Sequence, residues 1–222
     1  MVTWRLLGDG CRVVEEDLVD RHSVVLRPAT PTEDDGLAFA HYLDVAAEGF
    51  FRLMLGPRVA SILATAFALP DHDLSYQHVT FAERDGSTVG MVSGYTAEQH
   101  RRSSRQPLTQ AAGKGNVRMW LVGTLFTPLM RVIDSVAEDD FYVLAIAVDE
   151  EVRGSGVGAL LLDTLEQRAR QSGSRRLALD VSAGNEKALG FYERRGMTIE
   201  SQWPKRVWIP GLKLYRMVKV LE

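Results

Sequence analysis

An α/β fold, with a mixed β-sheet covered by helices on both faces, is what this sequence predicts from three features. Between residues 141 and 181 a strand-like run, a glycine-rich turn, a helix-patterned run and a second strand follow one another. That order is one βαβ unit, hence a parallel pair with a right-handed crossover. Residues 76–83 and 87–96 are both strand-like and flank Arg84-Asp85-Gly86, an Asp-Gly hairpin signal that demands antiparallel pairing. Finally, 222 residues with 45% apolar and 25% charged content suit one domain with elaborations. We therefore expect a single domain over 1–222, with an inserted segment at about 97–138.

The elements follow in order. Residues 1–22 have mixed charge and weak patterning, and little is read from them. Residues 23–28 are β-branched and end at Pro28, a first strand. Thr30, Pro31 and Glu33 supply a hydroxyl cap, a proline at the first helical position and a carboxylate three residues after the cap. A helix should run from there to about residue 47, with Leu37, Ala38, His41 and Val45 on one face. A second helix over 56–69 places Val59, Ile62, Leu63, Ala66 and Phe67 together and stops at Pro70. After the hairpin, Arg101, Arg102, Ser103, Ser104, Arg105 and the glycines around Lys114 read as a mobile, solvated loop. Residues 116–133, with Trp120, Leu121, Leu125, Phe126, Leu129 and Met130, read as an apolar helix interrupted near Pro128.

Residues 141–148 form the next strand, with Tyr142, Leu144 and Ile146 alternating on one face. The helix over 159–171 repeats Val157, Leu161, Leu165 and Ala169 and stops at Gly173. Leu177, Leu179 and Val181 alternate as a strand. Asn185 caps a short helix to Arg195, closed by Gly196, and residues 197–201 and 212–221 supply two last strands.

Composition excludes several functions. A net charge of −3 and a pI near 6.0 argue against nucleic-acid binding by phosphate attraction. One cysteine, Cys11, excludes an internal disulfide and a cysteine-cluster metal site. The longest apolar stretch, 60–69, is too short to span a bilayer, and Met-Val-Thr-Trp-Arg at the N-terminus is not a signal peptide. We expect a cytoplasmic location, with no membrane or nucleic-acid partner. Asp71, His72 and Asp73 suggest a metal, but beside Pro70 and without further spaced ligands they read as a solvated helix-end loop, so no metal is expected. His41 reads as a core-edge residue.

The run Arg153-Gly154-Ser155-Gly156-Val157-Gly158 carries the chemistry. Glycines allow close backbone approach, and a helix start presents free N–H groups and a positive dipole end, so the expected guest is a diphosphate. A Rossmann dinucleotide site is the rival: Gly154, Gly156 and Ala159 fit Gly-x-Gly-x-x-Ala, and Asp180 sits where a ribose-binding acid belongs. Against it, five mostly charged residues separate strand from glycine, and too little chain follows for more βαβ units.

The same run, the preceding Leu144-Ala145-Ile146-Ala147-Val148 and the later Asn185…Ala188-Leu189-x-Phe191-Tyr192…Arg195-Gly196-Met197 together resemble the GCN5-related N-acetyltransferase (GNAT) superfamily. The resemblance is close over about 60 residues and loose over about 150. It implies a sheet splayed at two neighbouring parallel strands, with acetyl-CoA as co-substrate in the cleft. The pantetheine arm would pair with the backbone of Ile146, Ala147 and Val148, and the amide near Ile146 would polarise the thioester carbonyl. The pyrophosphate would rest on Arg153, Gly154, Ser155, Gly156, Val157 and Gly158, Asn185 would hold the pantetheine, and Tyr192 would be the general acid. The implied reaction is direct attack of a small-molecule or peptide amine in a ternary complex. No base stands on the strand; Asp139, Asp140 and Glu83 are the nearest candidates, and the choice stays open. An acetyl-CoA sensor or scaffold is the alternative function. Segment 97–138 is expected to shape the acceptor pocket, or else to form a homodimer contact.

Overall fold

The computed structural model describes residues 24–113, 117–125, 127, 135–204 and 213–221. Its strands are β1 (Val24–Pro28), β2 (Val79–Arg84), β3 (Ser87–Thr96), β4 (Asp140–Val148), β5 (Arg176–Ser182), β6 (Thr198–Trp203) and β7 (Leu214–Val220). They form one sheet in the order β1-β2-β3-β4-β5-β7-β6. Only β4 and β5 pair in parallel among the described strands; the other neighbours are antiparallel. The mixed sheet is as expected, and one parallel pair is incompatible with a doubly wound dinucleotide fold. The Asp-Gly hairpin forms as read: Asp85 and Gly86 both lie at positive φ, 51° and 76°, which matches the strand twist.

Helices cover both faces. On one lie α1 (Glu33–Ala46), α2 (Phe50–Leu55) and α3 (Val59–Phe67), which bury Phe39, Leu43, Leu63 and Phe67 against Phe81 and Met91 of the sheet. On the other, α7 (Val157–Gln171) and α8 (Glu186–Arg194) pack Val157, Leu161, Leu165, Ala169 and Tyr192 against Val92, Phe141, Val143 and Leu177. The α7 stripe is the one its apolar spacing predicts.

Two readings of α1 are corrected. The cap is Thr32 rather than Thr30: its side chain accepts from the Asp35 amide at 3.4 Å. Thr30 is occupied instead at the β1–α1 corner, its amide and hydroxyl donating to Asp35 at 2.7 and 2.8 Å, while Arg27 clamps the same carboxylate at 2.6 and 2.8 Å. The buried face is Phe39, Ala40, Tyr42 and Leu43, whereas Leu37 and Val45 are 43% and 41% exposed and His41 is exposed. Gly36 sets that phase: a Cβ there would lie 3.0 Å from Ala64, so α3 crosses α1 at the one position without a side chain.

The helix expected over 56–69 forms as α3 over 59–67, and a further helix, α2, precedes it at 50–55. Residues Phe50–Phe67 have mean hydropathy 1.3 and by length and composition alone could cross a membrane. A 3₁₀ turn at Gly56–Arg58, with Gly56 at φ 73°, divides them instead, and Ile62, Leu63, Ala66 and Phe67 enter the core. The arginine-rich loop is likewise helical, as α4 (Ala97–Arg102) and α5 (Gln106–Ala112). Thr96 and Gln99 form a capping box, and His100, Arg101 and Arg102 complement the dipole at the last turn of α4. The apolar helix expected over 116–133 is described as α6 (Val117–Leu125), docked on α2 by Arg118 Nε donating to Leu53 O at 2.7 Å. Residues 114–116, 126 and 128–134, with the break expected near Pro128, lie outside the described residues, as do residue 23 and residue 212 at the ends of two expected strands.

Candidate active site

The sheet opens between β4 and β5. Their register is Asp140↔Arg176, Phe141↔Leu177 and Tyr142↔Ala178, and there the pairing ends. Beyond it β4 stays on β3 to Val148↔Gly90, and β5 stays on β7 to Ser182↔Leu214. The cleft thus widens toward the C-terminal ends of both strands. An irregularity in β4 accompanies it: Ser93 faces Ala145 while Gly94 faces Val143, so Leu144 is an extra residue, a β-bulge. Gly94 permits the bulge, because a Cβ there would lie 2.7 Å from both Phe141 Cε1 and Tyr142 O. The bulge corrects the alternation read for β4. Tyr142 and Leu144 pack with Tyr95 and Ala178, whereas Ile146 and Val148 join the α7 side and Ala145 and Ala147 the α1 side.

At the apex the Tyr142 hydroxyl donates to Asp180 Oδ2 at 3.0 Å, and Arg216 Nε and Nη2 donate to the same carboxylate at 2.7 and 2.8 Å. The Asp180 and Arg216 side chains are only 4% and 8% exposed. Asp180 is therefore neutralised inside the protein, which removes it as a ribose-binding acid. Burial, with the Asp180 charge second, pushes the Tyr142 hydroxyl well above its ordinary range.

At the mouth, the chain leaves β4 through Asp149 and the 3₁₀ turn Glu150–Val152 and enters α7. Gly154 and Gly156 lie at φ 82° and 93°, conformations that exclude most side chains. Gly156 is the N-cap of α7 and offers no side chain to it. The turn's own bonds run from the amides of Val152, Arg153, Ser155 and Leu160 to the carbonyls of Asp149, Glu150, Val152 and Gly156. The amides of Gly156, Val157, Gly158 and Ala159 have no main-chain acceptor among the described residues. A Cβ on Gly154 would meet nothing within 4 Å. Arg153 is exposed and donates to Glu150 at 2.8 Å, and Ser155 Oγ turns back to Val152 O at 2.7 Å.

The second sequence block closes on the same place. A Cβ on Gly158 would lie 3.8 Å from the Phe191 ring, so the start of α7 abuts α8. Asn185 caps α8, its Oδ1 accepting from the Ala188 amide at 3.1 Å. Tyr192 is buried in the core cluster that also holds Val152, Val157 and Val181, and that burial raises its hydroxyl above the ordinary tyrosine value. The structure thus sets the end of β4 beside the glycine turn and Asn185 after the end of β5, while Tyr192 is buried in the core cluster on the α7 side.

The base candidates stand elsewhere. Asp140 is 1% exposed and bonded to Arg176 Nε at 2.7 Å at the closed end of the cleft, about 20 Å along the strand from Ile146. Asp139 lies beside it, its carbonyl taken by the Arg175 and Arg176 amides. Glu83, on β2 two strands from β4, is bonded to Arg27 at 2.6 Å. Nor do Asp71, His72 and Asp73 form a cluster: no group of three metal-ligating side chains occurs among the described residues. His72 Nε2 bonds Ala66 O at 2.9 Å and Nδ1 accepts from the Leu74 amide at 3.2 Å, while burial lowers its pKa. Asp73 instead pairs with His100 at 2.9 Å.

Two groups at the mouth were not foreseen. The buried Tyr42 hydroxyl lies 3.0 Å from both Thr88 O and Asp149 Oδ1, tying α1 to the end of β4. Glu48, between α1 and α2 at φ 51°, accepts from Asn185 Nδ2 at 3.0 Å. No periodic signal marks either residue, because both contacts join segments more than 100 residues apart.

Comparisons with known proteins agree with this geometry. Residues 47–197 match the family model described as Acetyltransferase (GNAT) family. The chain is 39% identical over 59 residues to an uncharacterized N-acetyltransferase, YdgE, of Bacillus subtilis (strain 168), covering 27% of this chain and 38% of that protein. It is 33% identical over 61 residues to an L-methionine sulfoximine/L-methionine sulfone acetyltransferase of Pseudomonas aeruginosa, covering 28% and 36%. The chain thus spans little more than a third of the length of the curated relatives it matches. A solved acetyltransferase structure superposes with TM-score 0.63 at 26% identity, over 89% of this chain and 100% of that one. An N-acetyltransferase from Staphylococcus aureus Mu50, at 17% identity and TM-score 0.59 over 88% and 100%, shares the fold. A family match over residues 47–197, a mixed seven-stranded sheet and a parallel pair that parts beside a glycine turn lead to one conclusion: the chain belongs to the GNAT acetyltransferase family.

Proposed function

We propose that this protein transfers the acetyl group of acetyl-CoA to a primary amine by direct attack in a ternary complex. One observation carries the reading: β4 and β5 pair for three residues and then part, beside a helix N-terminus that no side chain caps. The free edge of β4 suits the amide-rich pantetheine arm, because unpaired main-chain groups inside a fold need partners. Within the expected 154–158 cradle the amides of Gly156, Val157 and Gly158, which have no main-chain acceptor among the described residues, suit a diphosphate, and Arg153 adds charge once it leaves Glu150. The main-chain amide near Ile146 is the candidate donor to the thioester oxygen.

Two protons have to move. An acceptor amine arrives charged: at pH 7 roughly one lysine-like amine in a thousand is neutral, against about one α-amine in ten. A proton must leave it before attack, by a base or a water chain. The departing thiolate then takes a proton, and the Tyr192 hydroxyl is the proposed donor. Its raised pKa keeps it protonated throughout the physiological range. A cytoplasmic setting without metal or nucleic acid completes the reading, as does a single domain in which segment 97–138 covers the acceptor side.

A second reading keeps the coenzyme and drops the transfer. Residues 143–148 of β4 are Val, Leu, Ala, Ile, Ala and Val, so that stretch of the strand carries no carboxylate or imidazole, which suits an acetyl-CoA sensor or scaffold. Calorimetry with acetyl-CoA, followed by thiol release over a panel of primary amines, separates the outcomes. Binding with amine-dependent thiol release supports transfer. Binding without release selects the sensor, and no binding overturns both.

A further inference from the structure

We propose that Glu48 recognises a second positive charge on the acceptor, so that the preferred substrates are amines carrying another cationic group. The inference rests on the acetyltransferase reading and adds the substrate class.

Position comes first. The Tyr42 contact to Asp149 sets the C-terminal half of α1 against the end of β4, and Glu48 follows two residues after that helix. Asn185 follows the end of β5, three residues after Ser182. The 3.0 Å bond between Glu48 and Asn185 therefore spans the mouth of the cleft from the β4 side to the β5 side. Glu48 holds this place at φ 51°, a left-handed conformation uncommon for a residue other than glycine, asparagine or aspartate.

Charge comes second. Three carboxylates of the flanking segments are paired with arginines, Asp44 with Arg52, Glu150 with Arg153 and Asp180 with Arg216, and Asp149 accepts from the buried Tyr42 hydroxyl. Glu48 meets only the neutral Asn185 amide among the described residues, and it is exposed. A carboxylate anchored by a neutral donor keeps both its charge and lone pairs for a cation.

Distance comes third. Asn185 and Tyr192 are seven residues apart on α8, about 10 Å along the axis. Glu48 is thus better placed for a charge remote from the reacting nitrogen than for the proton on that nitrogen. A diamine or triamine, or a peptide amine with a nearby lysine, has that spacing.

The test compares propylamine with putrescine and spermidine, by acetyl-CoA-dependent thiol release, in wild type and Glu48→Gln. Gln keeps the acceptor for Asn185 and removes only the charge. We expect wild type to favour the polyamines, and the polyamine-to-propylamine ratio of kcat/KM to fall about tenfold in the variant. In wild type alone, raising salt from 0.01 to 1 M should erode the same ratio, as screening requires. A variant ratio equal to wild type, or a wild-type ratio insensitive to salt, overturns the role of Glu48 while leaving the acetyltransferase reading intact. Absence of thiol release with every amine overturns the acetyltransferase reading, and this inference with it.

Discussion

Gly156→Ala tests the proposed cradle most directly, and three glycines of one turn allow the test to be internally controlled. Gly156 lies at φ 93° and heads α7, so an alanine there adopts a left-handed conformation that costs about 1–2 kcal/mol. For a chain of this length each kcal/mol lowers Tm by about 2–4 °C, so a fall of roughly 2–8 °C is expected. Gly154→Ala, at φ 82° with nothing within 4 Å of the added Cβ, should lose a similar amount through the same backbone cost. Gly158→Ala has no such cost: its Cβ meets Phe191 at an ordinary 3.8 Å, and alanine is the better helix former, so Tm should hold or rise slightly. Coenzyme affinity should follow a different order. If the amides that begin α7 hold the diphosphate, displacing the Gly156 backbone weakens acetyl-CoA binding at least tenfold, about 1.4 kcal/mol, while Gly158→Ala stays within about threefold. Thermal denaturation and calorimetry on the three variants read the two quantities separately. Wild-type coenzyme affinity in Gly156→Ala, at a Tm lowered as expected, would refute the cradle.

Three further outcomes follow from single residues. Tyr192→Phe keeps the buried ring and removes the proposed donor, so kcat should fall about 100-fold with little change in Tm or in KM for acetyl-CoA; unchanged turnover from pH 6 to 9 sinks the general-acid role. Arg216→Met strands the buried Asp180 carboxylate, and about 3–5 kcal/mol of stability should go with it, read as a fall in denaturation midpoint; a loss under 1 kcal/mol contradicts the apex ion pair. His78, 6% exposed, has its pKa pulled down to about 4, first by burial and then by the Arg168 charge. The unfolded chain therefore binds the proton that the folded one refuses between about pH 6.5 and 4. Stability attached to His78 is complete above pH 6.5 and declines through that window by roughly 3 kcal/mol, and His78→Phe should flatten that limb of the stability–pH curve.

Local, periodic features of the fold were readable from sequence, and features set by one residue against another were not. The α7 stripe, the Asp85-Gly86 hairpin and the Asn185 cap each rest on neighbours a few residues apart, and each stands where its pattern put it. The phase of α1 failed because it depends on where α3 crosses it, at Gly36 over Ala64. The arginines of 101–105 suggested a loop, because charge in a short helix looks the same as charge in a solvated turn. What distinguishes them is the capping box at Thr96 and Gln99, a signal that the sequence carries. At the candidate site, the glycine turn is marked by its spacing, whereas Asn185 and Tyr192 are named by the resemblance to the family. Glu48 and the Tyr42–Asp149 contact could not be named in advance, since each links chain segments more than 100 residues apart.

The bulge at Leu144 explains why a period-two reading of β4 had to fail and why that failure matters for function. Before it, Phe141 and Val143 point toward α7; after it, Ile146 and Val148 do, so one extra residue inverts the strand's faces at the depth where β5 departs. A regular strand would have kept Tyr142, Leu144 and Ile146 together on the α1 side. The bulged strand keeps only the first two there and turns Ile146 toward α7. Beyond Tyr142 the edge of β4 facing β5 has lost its ladder, and buried edges of that kind are costly unless something pairs with them. Restoring regularity should therefore close the cleft. Deleting Leu144 would return the register, extend the parallel pairing past Tyr142 and abolish acetyl-CoA binding in a protein that still folds. A deletion variant that folds and binds the coenzyme as wild type does would show that the opening owes nothing to the bulge.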